Sequence, residues 1–334
     1  MPELTFLLVL SVVLALAFDY INGFHDTANA IATVVSTRVL SPRTAVIMAG
    51  VLNFAGALVA TKVAKTIASG IVVPHMAGEV VVLAAIVGAI TWNLITWYYG
   101  IPSSSSHALV GGLVGAGLAH GGLSAVLWHG LLDKVVYPLV GSPVAGFIIG
   151  FILMTLIAWA FGRAHPNKAS SAFKKLQLVS SSLMAFSHGQ NDAQKSMGII
   201  TLALATHGFL DAKNPEVPVW VMLACATAMG LGTAAGGWRI MHTVGQKISR
   251  LDPVHGFAAE TAGAAVILTA GHFGMPISTT HTITTSIFGV ASSRRVSAVR
   301  WTVAKQVVMA WVLTIPASAA VGAASYWLFS LIWH

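Results

Sequence analysis

Four ionisable residues stand out beside the apolar stretches of a membrane chain: Asp26, Asp192, Lys195 and Glu260. Such a group at the centre of a membrane helix costs about 2.5 to 3.5 kcal/mol on insertion scales, so it usually serves a pathway. Asp26 and Asn29 are three residues apart, as are Asp192 and Lys195, so on a helix each pair shares a face. The chemistry expected is a central cavity in which the two aspartates hold cations or protons. The plainer alternative is a buried Asp192–Lys195 pair that neutralises itself, with Asp26 capping a helix.

Two further elements carry hydroxyls and a histidine. Pro102-Ser-Ser-Ser-Ser-His107 and Pro276-Ile-Ser-Thr-Thr-His281 read as helix starts with Pro at a first helical position, where no N–H is needed. A helix N-terminus offers free N–H groups and the positive end of the dipole, a natural anion site. Ser104, Ser105, Ser106, Ser278, Thr279 and Thr280 add hydroxyl donors and no negative charge, which suits an oxyanion with many acceptor oxygens. Single Ser and Thr residues in membrane helices also bond back to their own backbone. For His107 and His281 two roles stay open. One is proton relay or support of the anion, and the other is packing against a helix-end carbonyl.

Other chemistries find no footing. His25, His188, His129 and His272 show no repeated ligand spacing, and H-E-x-x-H and C-x-x-C are missing, which argues against a structural zinc site. There is no Walker motif. Ser106 and His107 are adjacent, so on a helix they project about 100° apart, and no G-x-S-x-G elbow accompanies them. The chain is not expected to be an enzyme or to carry a cofactor.

The elements that must position these residues follow from composition. The 334 residues are 56% hydrophobic and 8% charged, with a mean hydropathy of +0.80; soluble domains carry roughly 25% charged residues. That excludes a soluble enzyme, a disordered chain and a nucleic-acid module. The net charge of +8 is read as basic residues marking cytoplasmic loops. Segment 3–22 reads as a retained helix, not a cleaved leader. The other stretches near the spanning length of about 20 residues are 43–61, 79–99, 143–162, 216–237 and 302–332, the last kinked at Pro316. Shorter or interrupted ones are 28–40, 107–119, 177–187, 196–210, 262–274 and 282–291, as expected of discontinuous helices and re-entrant hairpins.

The two halves resemble each other. Gly23-Phe-His-Asp-Thr-Ala-Asn-Ala30 aligns with Gly189-Gln-Asn-Asp-Ala-Gln-Lys-Ser196, at an offset of 192 − 26 = 166. The Pro-Ser-His elements align at 276 − 102 = 174. Two ordered matches at nearly one spacing indicate duplication. A duplicated unit with an odd number of spans inserts its second copy upside down, the pattern of secondary transporters with substrate held between the repeats. The expected fold is an all-α polytopic membrane protein of two inverted-topology repeats with broken helices and re-entrant hairpins, about 10–12 membrane segments in all. The expected organisation is residues 1–162 as the first repeat, 163–175 as a basic cytoplasmic linker and 176–334 as the second repeat.

At these residues the sequence resembles the inorganic phosphate transporter (PiT) family, in particular its bacterial low-affinity Pit-type permeases. The residues that carry the likeness are GFHDTANA at 23–30, FSHGQNDAQK at 186–195, PSSSSH at 102–107, PISTTH at 276–281, GFAAETAGA at 256–264 and RRVSAVRW at 294–301. The resemblance implies a symporter that imports phosphate across the bacterial cytoplasmic (inner) membrane. It implies Asp26, Asn29, Asn191 and Asp192 at the substrate and cation site, with Ser104, Ser105, Ser106, Ser278, Thr279 and Thr280 contacting phosphate. Lys195 and Glu260 join the coupling group, and His107, His281 and Asn53 support it. Sodium-coupled relatives carry glutamate where this chain has Asn53 and Asn where it has Lys195. A fixed cation at Lys195 repels sodium, so proton coupling is expected, with a divalent metal–phosphate complex as an open form of the cargo. Sodium coupling, sulfate as substrate and a passive anion channel are the alternatives. The expected partners are inorganic phosphate and lipid, with a homodimer left open and no metal residues assigned.

Overall fold

The computed structural model describes residues 5–73, 76–211 and 215–333. The first residues of segment 3–22 and the outer ends of the two expected repeats lie outside the described residues. The first half runs α1 (Phe6–Ser36), α2 (Pro42–Ala57), α3 (Lys62–Gly70), α4 (Glu79–Tyr99), α5 (Ser105–Gly121) and α6 (Trp128–Leu131). A π-helical turn (Leu132–Val136) leads from α6 into α7 (Tyr137–Phe161). The second half runs α8 (Pro166–Thr206), α9 (Val219–Ala235), α10 (Trp238–His242) with a π-helical turn (Thr243–Lys247), α11 (Pro253–His272), α12 (Thr279–Arg294) and α13 (Trp301–Ser330).

Hydropathy broke α1 and α8 in two, yet α1 is continuous for 31 residues and α8 for 41. The polar residues that interrupt the apolar pattern do not interrupt the backbone, because their side chains find partners on other helices. Thr27 Oγ1, for instance, donates to Thr233 O as well as to Gly23 O. The stretch expected to link the halves is largely the exposed start of α8, which begins at Pro166. Only residues 162–165 lie between α7 and α8. The breaks fall elsewhere: α2 turns into α3 through 68° and α9 into α10 through 60°.

The protein is turned inside out relative to a soluble one. Ile148, Ile152, Leu156 and Trp159 on α7, and Val308 and Val312 on α13, are exposed, whereas Asp19, Asp192, Lys195 and Glu260 are fully buried. An apolar outer surface with the charged groups held inside is the pattern that lipid imposes. Among the described residues five helices are long and apolar enough to cross a membrane, seven when each bent pair counts as one span.

The two halves exchange parts about a pseudo-two-fold axis. α1 packs on α9 as α8 packs on α2, and α13 packs on α5 as α7 packs on α12. The closest approaches repeat with their partners swapped. A Cβ on Gly56 of α2 would stand 2.1 Å from Phe186 O, and one on Gly232 of α9 would stand 2.1 Å from Tyr20 O. A Cβ on Gly115 of α5 would stand 2.1 Å from Ala319 O, and one on Gly289 of α12 would stand 2.0 Å from Phe147 O. Small residues let membrane helices touch backbone to backbone. Here four such contacts fall in two matched pairs.

Candidate functional site

The chain enters both hairpin tips through left-handed glycines, Gly100 at φ 65° after α4 and Gly274 at φ 68° after α11. Only glycine takes that conformation at little cost. Pro102 and Pro276 were expected at first helical positions. They lie two residues ahead of the caps instead, because Ser104 and Ser278 start the helices. Ser104 Oγ accepts from His107 N at 3.2 Å, and Ser278 Oγ accepts from His281 N at 3.1 Å. These hydroxyls serve their own helices.

The tips meet N-terminus to N-terminus at the pseudo-axis, as copies inserted in opposite senses require. Ser106 Oγ donates to Ile277 O at 2.8 Å. The rings of His107 and His281 stack at 4.6 Å. Trp311 of α13 stacks on His281 at 3.8 Å and donates its indole N–H to Pro102 O. Ser106 is thus a latch between tips. His107 Nδ1 and His281 Nε2 are buried without a hydrogen-bond partner.

The signature residues of α1 and α8 converge on these tips. Ser105 Oγ donates to Asp26 Oδ2 at 3.0 Å, and Thr280 Oγ1 reaches Asp26 Oδ1 at 3.5 Å. Asn29 Nδ2 donates to Thr280 Oγ1 at 2.9 Å and to Thr279 Oγ1 at 3.3 Å. Thr279 Oγ1 donates to Asp192 Oδ2 at 3.1 Å, and Lys195 Nζ to Asp192 Oδ1 at 2.5 Å. One buried polar network therefore joins both aspartates to both tips. Both side-chain atoms of Asn191, and Asn29 Oδ1, are buried without a partner. Buried polar atoms are nearly always paired with protein, water or a bound ion, so these are open to one.

Three expected residues sit differently. Glu260 is held apart by Thr33 at 2.5 Å, Gln177 at 3.0 Å and Ser180 at 2.5 Å. Thr33 lies seven residues beyond Asp26, about 10 Å along α1. Asn53 touches neither tip; its Oδ1 accepts from His188 Nδ1 at 2.8 Å, and its Nδ2 donates to Thr233 Oγ1 at 3.1 Å. Lys195 does pair with Asp192, as the plainer alternative supposed, but within the wider network.

Sequence reasoning passed over His188 and His25. His188 Nε2 stands 3.3 Å from Asp192 Oδ2, four residues along α8. Its ligand atom and those of Asp26 and Asp192 lie within 4.8 Å of one another, close enough to share a cation. The i,i+4 spacing of His188 and Asp192 was the available signal. Asp26 arrives from the other helix, which spacing within one segment does not reveal. His25 Nδ1 is 2.6 Å from Asp26 Oδ1, and its Nε2 is 3.0 Å from Thr96 Oγ1, which also receives Ser103 Oγ at 2.8 Å.

The sequence profile of the phosphate transporter family matches residues 22–322, spanning both signatures and both tips. The chain belongs to the phosphate transporter family. It is 50% identical to a Bacillus subtilis protein named "Probable low-affinity inorganic phosphate transporter", over 99% of this chain and all of that one. A Rhizobium meliloti protein of the same name is 50% identical over 98% of this chain and 97% of its own length. Among solved structures, one titled "The sodium-dependent phosphate transporter" superposes with a TM-score of 0.90 at 28% identity, covering 98% of this chain and 100% of that one. A member of this family is a transporter, not an enzyme, and this one is an integral membrane protein.

Proposed function

We propose that the protein imports inorganic phosphate by proton-coupled symport across the bacterial inner membrane. The observation that carries the reading is the junction of the two tips beside Asp26 and Asp192. There, two helix N-termini meet, the Thr279 and Thr280 hydroxyls reach the aspartates, and the Asn191 amide, next to Asp192 in sequence, is buried without a partner. Phosphate near neutral pH carries about −1.5 to −2 charge, by analogy with its monoesters. Two carboxylates beside it repel it, and protons or a cation bound at Asp26 and Asp192 remove that repulsion. Anion and cation then bind better together than apart, which is what coupling requires. Asp26, Asn29, Asp192 and Lys195 form the coupling group at the tips, with Glu260 a separate buried acid facing Thr33 further along α1, and Ser105, Thr279, Thr280 and Asn191 are the residues best placed to meet phosphate.

The choice of proton over sodium rests on Lys195. Its pseudo-equivalent in the first repeat is Asn29, a neutral amide, whereas Lys195 puts an ammonium 2.5 Å from Asp192. A built-in cation competes with sodium for that carboxylate. A second reading concerns the form of the cargo. Asp26, His188 and Asp192 could share a divalent ion, so that phosphate travels as its metal complex.

The test is uptake of labelled phosphate into liposomes holding the purified protein. Accumulation should follow an imposed pH gradient and ignore sodium. Uptake that follows sodium and ignores the pH gradient overturns proton coupling. Magnesium dependence of uptake tests the metal–phosphate form.

A further inference from the structure

Asp19 lies near the middle of α1, seven residues before Asp26 or about 10 Å along the helix axis. It is fully buried, and neither carboxylate oxygen has a hydrogen-bond partner of normal geometry; the Ser196 hydroxyl and the Cys225 thiol are its only donors among the described residues. Ser196 of α8 and Cys225 of α9 lie beside it. Ser196 Oγ and both side-chain atoms of Asn22, one turn along α1, are likewise buried and unpaired. A fully buried ionised carboxylate served only by one hydroxyl and one thiol is too costly to persist. The group must be neutral or must hold a cation. One carboxyl, one amide, one hydroxyl and a thiol make a poor cage for sodium, and the Lys195 ammonium acts on the same carboxyl.

We infer that Asp19 is a proton-binding site of the transport cycle, linked to the phosphate site through Lys195. This rests on the symport reading above and names its proton carrier. Lys195 pairs with Asp192 and also lies within electrostatic reach of Asp19. While Asp19 holds a proton, Lys195 belongs to Asp192 alone, and the phosphate site is less negative. When Asp19 loses its proton, its charge draws on the same ammonium. Asp192 is then less well neutralised, and phosphate is repelled. Proton binding at Asp19 therefore favours phosphate binding, and by linkage phosphate favours the proton.

The titratable groups facing Asp19 are Asp192 and Lys195 from α8 and Cys225 from α9. The ionisable side chains of α4, Glu79, Tyr98 and Tyr99, sit at its two ends. Gly237, the cap of α10, meets α1 at Phe24, and Glu260 of α11 meets it at Thr33. In the second repeat Ala185 takes the place equivalent to Asp19 at the 166-residue offset, so this acid has no symmetry mate.

The experiment compares wild type, Asp19→Asn and Asp19→Glu in liposomes with labelled phosphate. Asp19→Asn should keep phosphate–phosphate exchange within about twofold, while accumulation driven by a pH gradient falls about tenfold or more. Its phosphate affinity should no longer vary with pH, and Asp19→Glu should still accumulate. Asp19→Asn that accumulates phosphate like wild type overturns the inference while leaving proton coupling intact. Wild type that ignores the gradient overturns the symport reading itself. Asp19 is then judged by infrared spectroscopy at neutral pH: a protonated-carboxyl band lost in Asp19→Asn supports it, and an unchanged band overturns it. Where Asp19→Asn does not insert, Asp19→Glu decides: a pH profile identical to wild type overturns the inference, and a displaced one supports it.

Discussion

His281 of α12 stacks on His107 of α5, ring on ring at 4.6 Å, and so clamps the two hairpin tips to each other across the pseudo-axis. With Trp311 on the far face of His281, three rings from three helices hold the junction where phosphate is proposed to sit. Stacked aromatic pairs contribute about 0.5–1.5 kcal/mol beyond burial. Replacing His281 with Ala should therefore raise the KM for phosphate about three- to tenfold. Combining His281→Ala with His107→Ala should add little more, since each removes the same contact. Uptake kinetics on the two single variants and the double variant measure this, and fully additive effects would show that the rings act separately.

Ser104 and Ser105 are neighbours with different work. Ser104→Ala removes an N-cap and should cost about 1 kcal/mol of stability, with Ser104→Gly costing less. Ser105→Ala removes a donor to Asp26 and should change transport more than thermal unfolding. Unfolding curves in detergent and uptake rates, measured side by side, separate the two.

Asp26→Asn and Asp192→Asn should each abolish phosphate accumulation while insertion into the membrane is preserved. For Asp192 the result also depends on Lys195. Removing one member of a buried ion pair leaves the other unpaired, at a cost of about 3–5 kcal/mol. Asp192→Asn should thus lower stability more than Asp26→Asn, and its combination with Lys195→Asn should restore part of the loss. Thermal shift assays in detergent report the difference, and equal destabilisation by the two single variants would contradict it.

Lys195→Asn installs the amide that the first repeat carries at Asn29. With the fixed ammonium gone, Asp192 becomes free to hold a mobile cation. The variant should gain sodium-stimulated phosphate uptake, measured with and without a sodium gradient at constant pH. Uptake with no response to sodium would mean that the ammonium is not what excludes it.

Gly56→Ala and Gly232→Ala place a methyl group about 2.1 Å from a carbonyl oxygen of the facing helix. Backbone must move at either site, and the yield of monodisperse protein by size-exclusion chromatography should fall sharply for both. A normal yield from either would show that the helix crossing tolerates separation.

Much of this arrangement was legible beforehand. The repeated Gly-x-x-Asp and Pro-Ser-His patterns mark residues that do converge, since Asp26 meets Ser105 and Asp192 meets Thr279. Helix continuity was not legible, because hydropathy treats Asn22, Asp26 and Asn29 as breaks when their neighbours make them interior residues. Nor could the different duties of consecutive serines be read. Ser104, Ser105 and Ser106 point at a backbone N–H, a carboxylate and a carbonyl according to their azimuth on one turn. His188 joins the site only through the approach of α1 to α8, and the burial of Asp19 among α1, α8 and α9 is likewise a matter of tertiary packing.

The reciprocal packing of α7 on α12 and α13 on α5 means that neither half of the sequence carries its own outer wall. A chain severed between α7 and α8 yields two fragments, each bearing a terminal helix that has nothing of its own to lean on. Each fragment also leaves a hairpin bare to lipid. Such fragments should be degraded when made singly and survive when made together. Whatever slides or tilts during the cycle is correspondingly a composite body drawn from both ends of the polypeptide.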